Sequence, residues 1–186
     1  GSAINHEIRM TTPRIHGRTL VIVNPHGVSL ARTEAGQRLH EYADHGDVTI
    51  VETEYAGHAG DVCRERAGEF DKIIVVGGDG TLMDVVNGAI DADVAIAPFP
   101  ACTASDFAKA APDYPASLDA LLASEESSRV DLGKVTFVDG ETQYFLTESG
   151  VGLDASCLRH VPAWLRPISA KRAYDVGALR AVIAAR

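Results

Sequence analysis

The feature that most constrains this chain is a run of four short apolar segments at intervals. They are Leu20–Val23, Val48–Val51, Lys72–Val76 and Val94–Ala97, with helix-like stretches between them. Each segment is too short for a helix and rich in β-branched residues, so each predicts a strand. The runs are continuous and do not alternate with polar residues, which means both faces of the sheet are covered. Between them, Ser29–Ala43 carries Leu30, Ala35, Leu39 and Tyr42 at helical spacing, and Gly57–Gly68 and Thr81–Ile90 also read as helices. Strand and helix in turn predict an α/β domain with a parallel, Rossmann-like sheet.

The pattern changes at the polar stretch Ser124–Ser128. Beyond it, Arg129–Val138 and Thr142–Ser149 are strand candidates joined at Asp139-Gly140, a hairpin signal. A closing helix is expected over Ala173–Ala185. Two strands and a helix make a poor domain alone, so this part reads as the incomplete start of a β-rich, sandwich-type second domain. The expected division is residues 1–17 as a tag remnant and N-terminal extension, 18–125 as a nucleotide-binding domain, and 129–186 as the second domain.

Composition removes several classes of function. The formal net charge is -9, which argues against nucleic-acid binding through clustered Lys and Arg. Three well-separated cysteines, Cys63, Cys102 and Cys157, form neither a disulfide framework nor a zinc site, and suit a reducing cytoplasm. No apolar run approaches the ~20 residues of a membrane-spanning helix. His58 has no second His or Cys at metal spacing and reads as a helix-start residue.

The third strand enters Gly77-Gly78-Asp79-Gly80-Thr81. Glycines let a ligand approach the backbone, and the following helix offers N–H groups and the positive end of its dipole. Phosphate is the natural occupant of such a place. The spacing is that of neither a P-loop nor a Rossmann fingerprint. Asp79 suits a Mg²⁺ ion, a ribose hydroxyl or an Asx-type turn, and residue chemistry alone leaves these open.

Three blocks fall in a recognisable order: Val23-Asn24-Pro25-x-Gly27, Thr53-Glu54-x-x-Gly57-His58-Ala59, and Val75 through Gly88. They continue through Pro100–Ala108, Val130-Asp131-Leu132-Gly133 and Gly150–Ala155. From about residue 18 onward the chain resembles the diacylglycerol kinase catalytic domain family, which includes bacterial soluble lipid kinases and sphingosine kinases. The glycine turn alone is shared with NAD kinases; the flanking blocks carry the assignment.

The resemblance implies a kinase that transfers the γ-phosphoryl group of ATP to a diacylglycerol-like lipid hydroxyl, with Mg²⁺. It implies that Thr53, the turn Gly77, Gly78, Asp79, Gly80, Thr81, Leu82 and Met83, and Thr103 contact ATP, with Asn24 at the mouth of the site. Asp106 is implied in a network of Mg²⁺, water and carboxylates, and Asp79 and Asp106 are the expected metal ligands. Cys102, Ser105 and Lys109 replace the family's usual Gly, Asn and Arg, which implies altered nucleotide contacts. The acidic general base is expected beyond Arg186, so the chain itself is expected to be truncated and to transfer phosphate weakly or not at all.

The remaining expectations follow. The protein is expected in the cytoplasm, peripheral to the inner face of the membrane, with a lipid substrate and no nucleic acid. Val161–Arg172 mixes apolar, Trp and basic residues and is a candidate membrane-interface segment. Unpaired edge strands in an unfinished sandwich point to a homo-oligomer. The alternatives are a NAD-kinase-like small-molecule kinase and a non-catalytic nucleotide-binding or oligomerisation module.

Overall fold

The apolar runs form the strands that their composition demands. In the computed structural model, which describes residues 17–25, 39, 41–42, 47–100, 107, 114–115, 117–146, 153–162 and 170–184, four parallel strands make one sheet. They are β1 (Thr19–Val23), β2 (Val48–Glu52), β3 (Lys72–Gly77) and β4 (Ala95–Pro100), in the order β2-β1-β3-β4. Every residue of β1 and β3 is buried, as central strands covered on both faces require.

Alternate residues of the central strands supply two cores. Leu20, Ile22, Ile73 and Val75 face α1 (His58–Arg66) and α2 (Asp79–Gly88). Val21, Val23, Ile74 and Val76 face Leu39, Tyr42 and α3 (Leu118–Ala123). Full burial of each such Val or Ile is worth about 1.5–3 kcal/mol, so these rows hold the layers together. α1 and α2 cross closely because glycines, Gly60 and Gly88, meet at the contact. A Cβ on Gly88 would lie 2.3 Å from the Gly60 carbonyl oxygen.

The helix α3 was not foreseen, although its signals are present. Ser117 accepts from the Ala120 N–H at 3.2 Å as an N-cap, and Leu118, Leu121 and Leu122 are buried at helical spacing. At its other end the Lys72 ammonium donates to the carbonyls of Leu121 (2.8 Å), Leu122 (3.2 Å) and Ser124 (2.6 Å). A cation satisfying the last carbonyls of a helix is a favourable C-terminal cap. Tyr42 donates to Asp119 at 2.8 Å and ties the same helix to the β1–β2 connection.

The hairpin foreseen around Asp139-Gly140 is present but shorter. It consists of β5 (Gly133–Thr136) and β6 (Thr142–Phe145), paired antiparallel. It packs back onto α2 through Asn87. That side chain donates to the Tyr144 carbonyl (3.0 Å) and to Met83 O (2.9 Å), and accepts from the Tyr144 N–H (2.8 Å). One amide thus occupies both backbone groups of a strand residue, as a neighbouring strand would.

The chain divides into two compact units, Gly1–Thr147 and Glu148–Arg186. In the second, α4 (Leu153–Arg159) packs against α5 (Ala170–Ala184). Ala173, Gly177 and Ala181, four residues apart, form the buried stripe of α5. Among the described residues no helix is long and apolar enough to cross a membrane. Of the candidate interface segment, Val161 and Pro162 are buried and Arg172 is exposed; residues 163–169 lie outside the described residues.

Candidate functional site

The strand order places the turn. β2 lies on one side of β1, and β3 and β4 lie on the other. Leu39 and Tyr42, between β1 and β2, pack on one face of the sheet, whereas α1 and α2 cover the opposite face. The direction of winding therefore reverses between β1 and β3. Open α/β sheets bind ligands beyond the carboxyl ends of their strands at such a switch point. Asn24 ends β1 there, and Gly77–Thr81 leaves β3 beside it.

The two segments are joined at that point. The Asn24 N–H donates to Val76 O at 2.9 Å, and the Asn24 side-chain amide donates to the Thr81 hydroxyl at 3.0 Å. Thr81 is buried. Gly77 makes room for it, since a Cβ there would lie 2.8 Å from the Thr81 hydroxyl oxygen. Gly78 is the N-cap residue in extended backbone, and α2 starts at Asp79, two residues earlier than the sequence suggested. Asp79 is thus in the first turn of the helix, where a carboxylate is favoured by the dipole.

Thr53 sits one strand further out. Its N–H donates to Val23 O at 2.8 Å, and the residue is buried. Asn24, Thr53 and Gly77 therefore stand in line along the carboxyl edge of three adjacent strands. Leu82 differs from the rest of its block. Its side chain is buried in the core, and its N–H bonds to Gly78 O at 3.1 Å. Met83 is partly buried against the same core. These two residues seat the helix on the core. Thr103 and Asp106 lie outside the described residues.

Asp84 is not at the turn. It lies where α1 meets α2, and burial raises its carboxyl above the usual range, against the pull of the Gly57 backbone hydrogen bond and Arg64. His58 is the first residue of α1 and accepts from the Glu54 N–H at 3.0 Å through Nδ1, a local role consistent with the helix-start reading. Cys63 is buried between the helices, and desolvation pushes its thiol up to about 12. Among the described residues no three His, Cys, Asp or Glu side chains gather as a metal cluster.

A glycine-rich turn from a central parallel strand into a helix, at the switch point of a 2-1-3-4 sheet, marks an open α/β domain of the kind that binds ligands at that edge. Its family is narrower than that. Residues 18–135 match the model of the diacylglycerol kinase catalytic domain, and the chain belongs to that family. It is 31% identical over 166 residues to a diacylglycerol kinase of Bacillus subtilis, an alignment covering 84% of this chain and 53% of that protein. It is 33% identical over 78 residues to mouse sphingosine kinase 1, covering 40% of this chain and 20% of that protein. A crystal structure of a Bacillus anthracis protein assigned as a diacylglycerol kinase superposes with a TM-score of 0.50 and 29% identity, over 64% of this chain and 46% of that one. The chain spans about half the length of the Bacillus subtilis relative.

Proposed function

We propose that this chain is the nucleotide-binding part of a lipid kinase that moves the γ-phosphoryl group of ATP to a diacylglycerol-like hydroxyl. The observation that carries the reading is the Gly77–Thr81 turn at the switch point, fixed to the end of β1 by the Asn24–Thr81 hydrogen bond. Membership of the family supports the lipid acceptor, because the relatives are named for lipid substrates.

The residues divide the work in the following way. Backbone N–H groups of the turn hold the phosphates, and Thr81, held by Asn24, keeps the turn in shape. Thr53 supports the nucleotide from the neighbouring strand, and Thr103 joins the phosphate contacts. Mg²⁺ is commonly held by one or two carboxylates together with substrate phosphates. Asp79 in the first turn of α2 fits that demand, with Asp106 as the second carboxylate. The metal would neutralise charge on the phosphates, and the chain would supply position and dipole.

A lipid acceptor would bring the protein to the membrane surface; within the candidate contact segment 161–172, Arg172 is exposed, whereas Val161 and Pro162 are buried and do not belong to such a contact. Calorimetric titration of Mg-ATP against the chain and an Asp79→Ala variant tests the site. Affinity is expected to fall about tenfold in the variant, in line with the loss of a metal-holding group. Equal affinities, or no binding to either, would sink the proposal. Transfer of labelled phosphate to NAD with none to diacylglycerol vesicles would favour the NAD-kinase-like alternative. Nucleotide binding with no transfer to any acceptor would favour the non-catalytic module.

A further inference from the structure

Tyr55 is a large aromatic residue left 56% exposed, yet its ring is held on several sides. It stacks on His58 with ring centroids 4.7 Å apart and planes inclined by 18°. Its hydroxyl donates to Asp61 at 2.9 Å, and Asp61 is held in turn by Arg64. His58 is fixed from the other side by the Glu54 N–H. The ring is therefore ordered by its neighbours while much of it stays open to water.

Its place in the fold gives the ring a use. Tyr55 follows Thr53 by two residues at the carboxyl edge of the sheet. The first turn of α1 is joined to α2 through the Gly57 backbone and Asp84. Thr53 follows β2 and Gly77 ends β3, two strand spacings apart in the order β2-β1-β3, which is about 10 Å across the carboxyl edge. That span suits the ribose lying between a base and its phosphates. Glu54, Asp61 and Glu65 surround Tyr55 with negative charge, so the fitting occupant at this end is a neutral ring rather than a phosphate.

The geometry points to the Tyr55–His58 pair as a stacking platform for the base of the nucleotide whose phosphates occupy the Gly77–Thr81 turn. This rests on the nucleotide-binding function proposed above and adds to it the group that selects a nucleoside over a bare polyphosphate. Stacking of a base on an aromatic side chain tolerates any base but requires one.

The test compares Mg-ATP with Mg-tripolyphosphate, which has the phosphates and no base. Both are titrated calorimetrically against the whole chain, Tyr55→Ala and Tyr55→Phe. Tyr55→Ala is expected to weaken Mg-ATP about tenfold, the scale of one stacked base, and to leave tripolyphosphate unchanged. Tyr55→Phe keeps the ring and is expected to bind Mg-ATP within about twofold of the parent. Equal loss of ATP and tripolyphosphate in Tyr55→Ala would mean that the ring only supports the fold, and would overturn the platform. Unchanged ATP affinity in Tyr55→Ala would overturn it as well, while leaving the phosphate turn intact. Failure of the parent chain to bind either ligand would remove both proposals.

Discussion

At the scale of single residues, Asp84 gives a sign that can be measured. Burial is the largest influence on its carboxyl and raises it, and the Gly57 hydrogen bond and Arg64 offset part of that rise. The folded protein therefore holds this proton more tightly than the unfolded chain. Stability from this group is fully present below the ordinary value of 3.8 and is lost as pH rises through the raised folded value. Asp84→Asn cannot titrate, and its amide oxygen still accepts from Gly57. Thermal unfolding followed across mildly acidic pH is expected to show a flatter dependence in the variant, with its stability relative to the parent greatest at neutral pH. A variant that tracks the parent at every pH would show that the carboxyl behaves as it does in the unfolded chain.

At the scale of elements, Asn87 binds the hairpin to α2. Asn87→Ala removes the partner of both Tyr144 backbone groups and leaves them without that mate. Unsatisfied buried polar groups cost about 1–3 kcal/mol each, and because this pair is only half-buried, a total loss of about 2 kcal/mol is expected. Denaturant unfolding measures the loss. Amide exchange locates it, with β5 and β6 expected to lose protection while β1 and β3 keep theirs. A uniform loss across the sheet would assign Asn87 to the main core instead.

The same elements show which features were legible in the sequence and why. β1 to β4 were readable because a strand buried on both faces has a composition of its own, and runs such as Ile73-Ile74-Val75-Val76 admit little else. The glycine turn was readable as the end of β3, and the close approach of Gly77 to Thr81 four residues on is one that local sequence can record. Asn87 was visible only as a letter in a motif. Its partner is 57 residues away, and no local pattern announces a side chain acting as a strand neighbour. An Asn inside a helix is unfavoured on propensity, which was the available hint. Helix α3 failed for another reason: it is six residues long, too short for periodicity to stand out. Lys72 reads as the polar start of a strand, and its role as the cap of α3 depends on packing between layers.

At the scale of the whole molecule, two long-range terms oppose each other. The formal net charge of -9 makes copies of the chain repel one another. Against that, β5 and β6 form a two-stranded sheet among the described residues, and Phe137 and Val138 are exposed at its turn. Open strand edges are templates for pairing with another chain, and apolar side chains at the tip add area to such a contact. Which term wins is set by salt, since the screening length falls from about 30 Å at 0.01 M to about 3 Å at 1 M. Screening removes the repulsion and leaves hydrogen bonding and apolar burial nearly untouched. Sedimentation velocity over a range of concentrations is therefore expected to show self-association that strengthens with added salt. Replacing Phe137 and Val138 together by Lys should suppress it without changing Mg-ATP affinity, because neither residue lies near the Gly77–Thr81 turn in the chain or along the carboxyl edge of the parallel sheet. A single monomeric species at both extremes of salt would show that the hairpin edges do not pair, and would count against the homo-oligomer that open edges suggest. Association weakened by salt would instead point to contacts between opposite charges, which the excess of Asp and Glu over Lys and Arg disfavours.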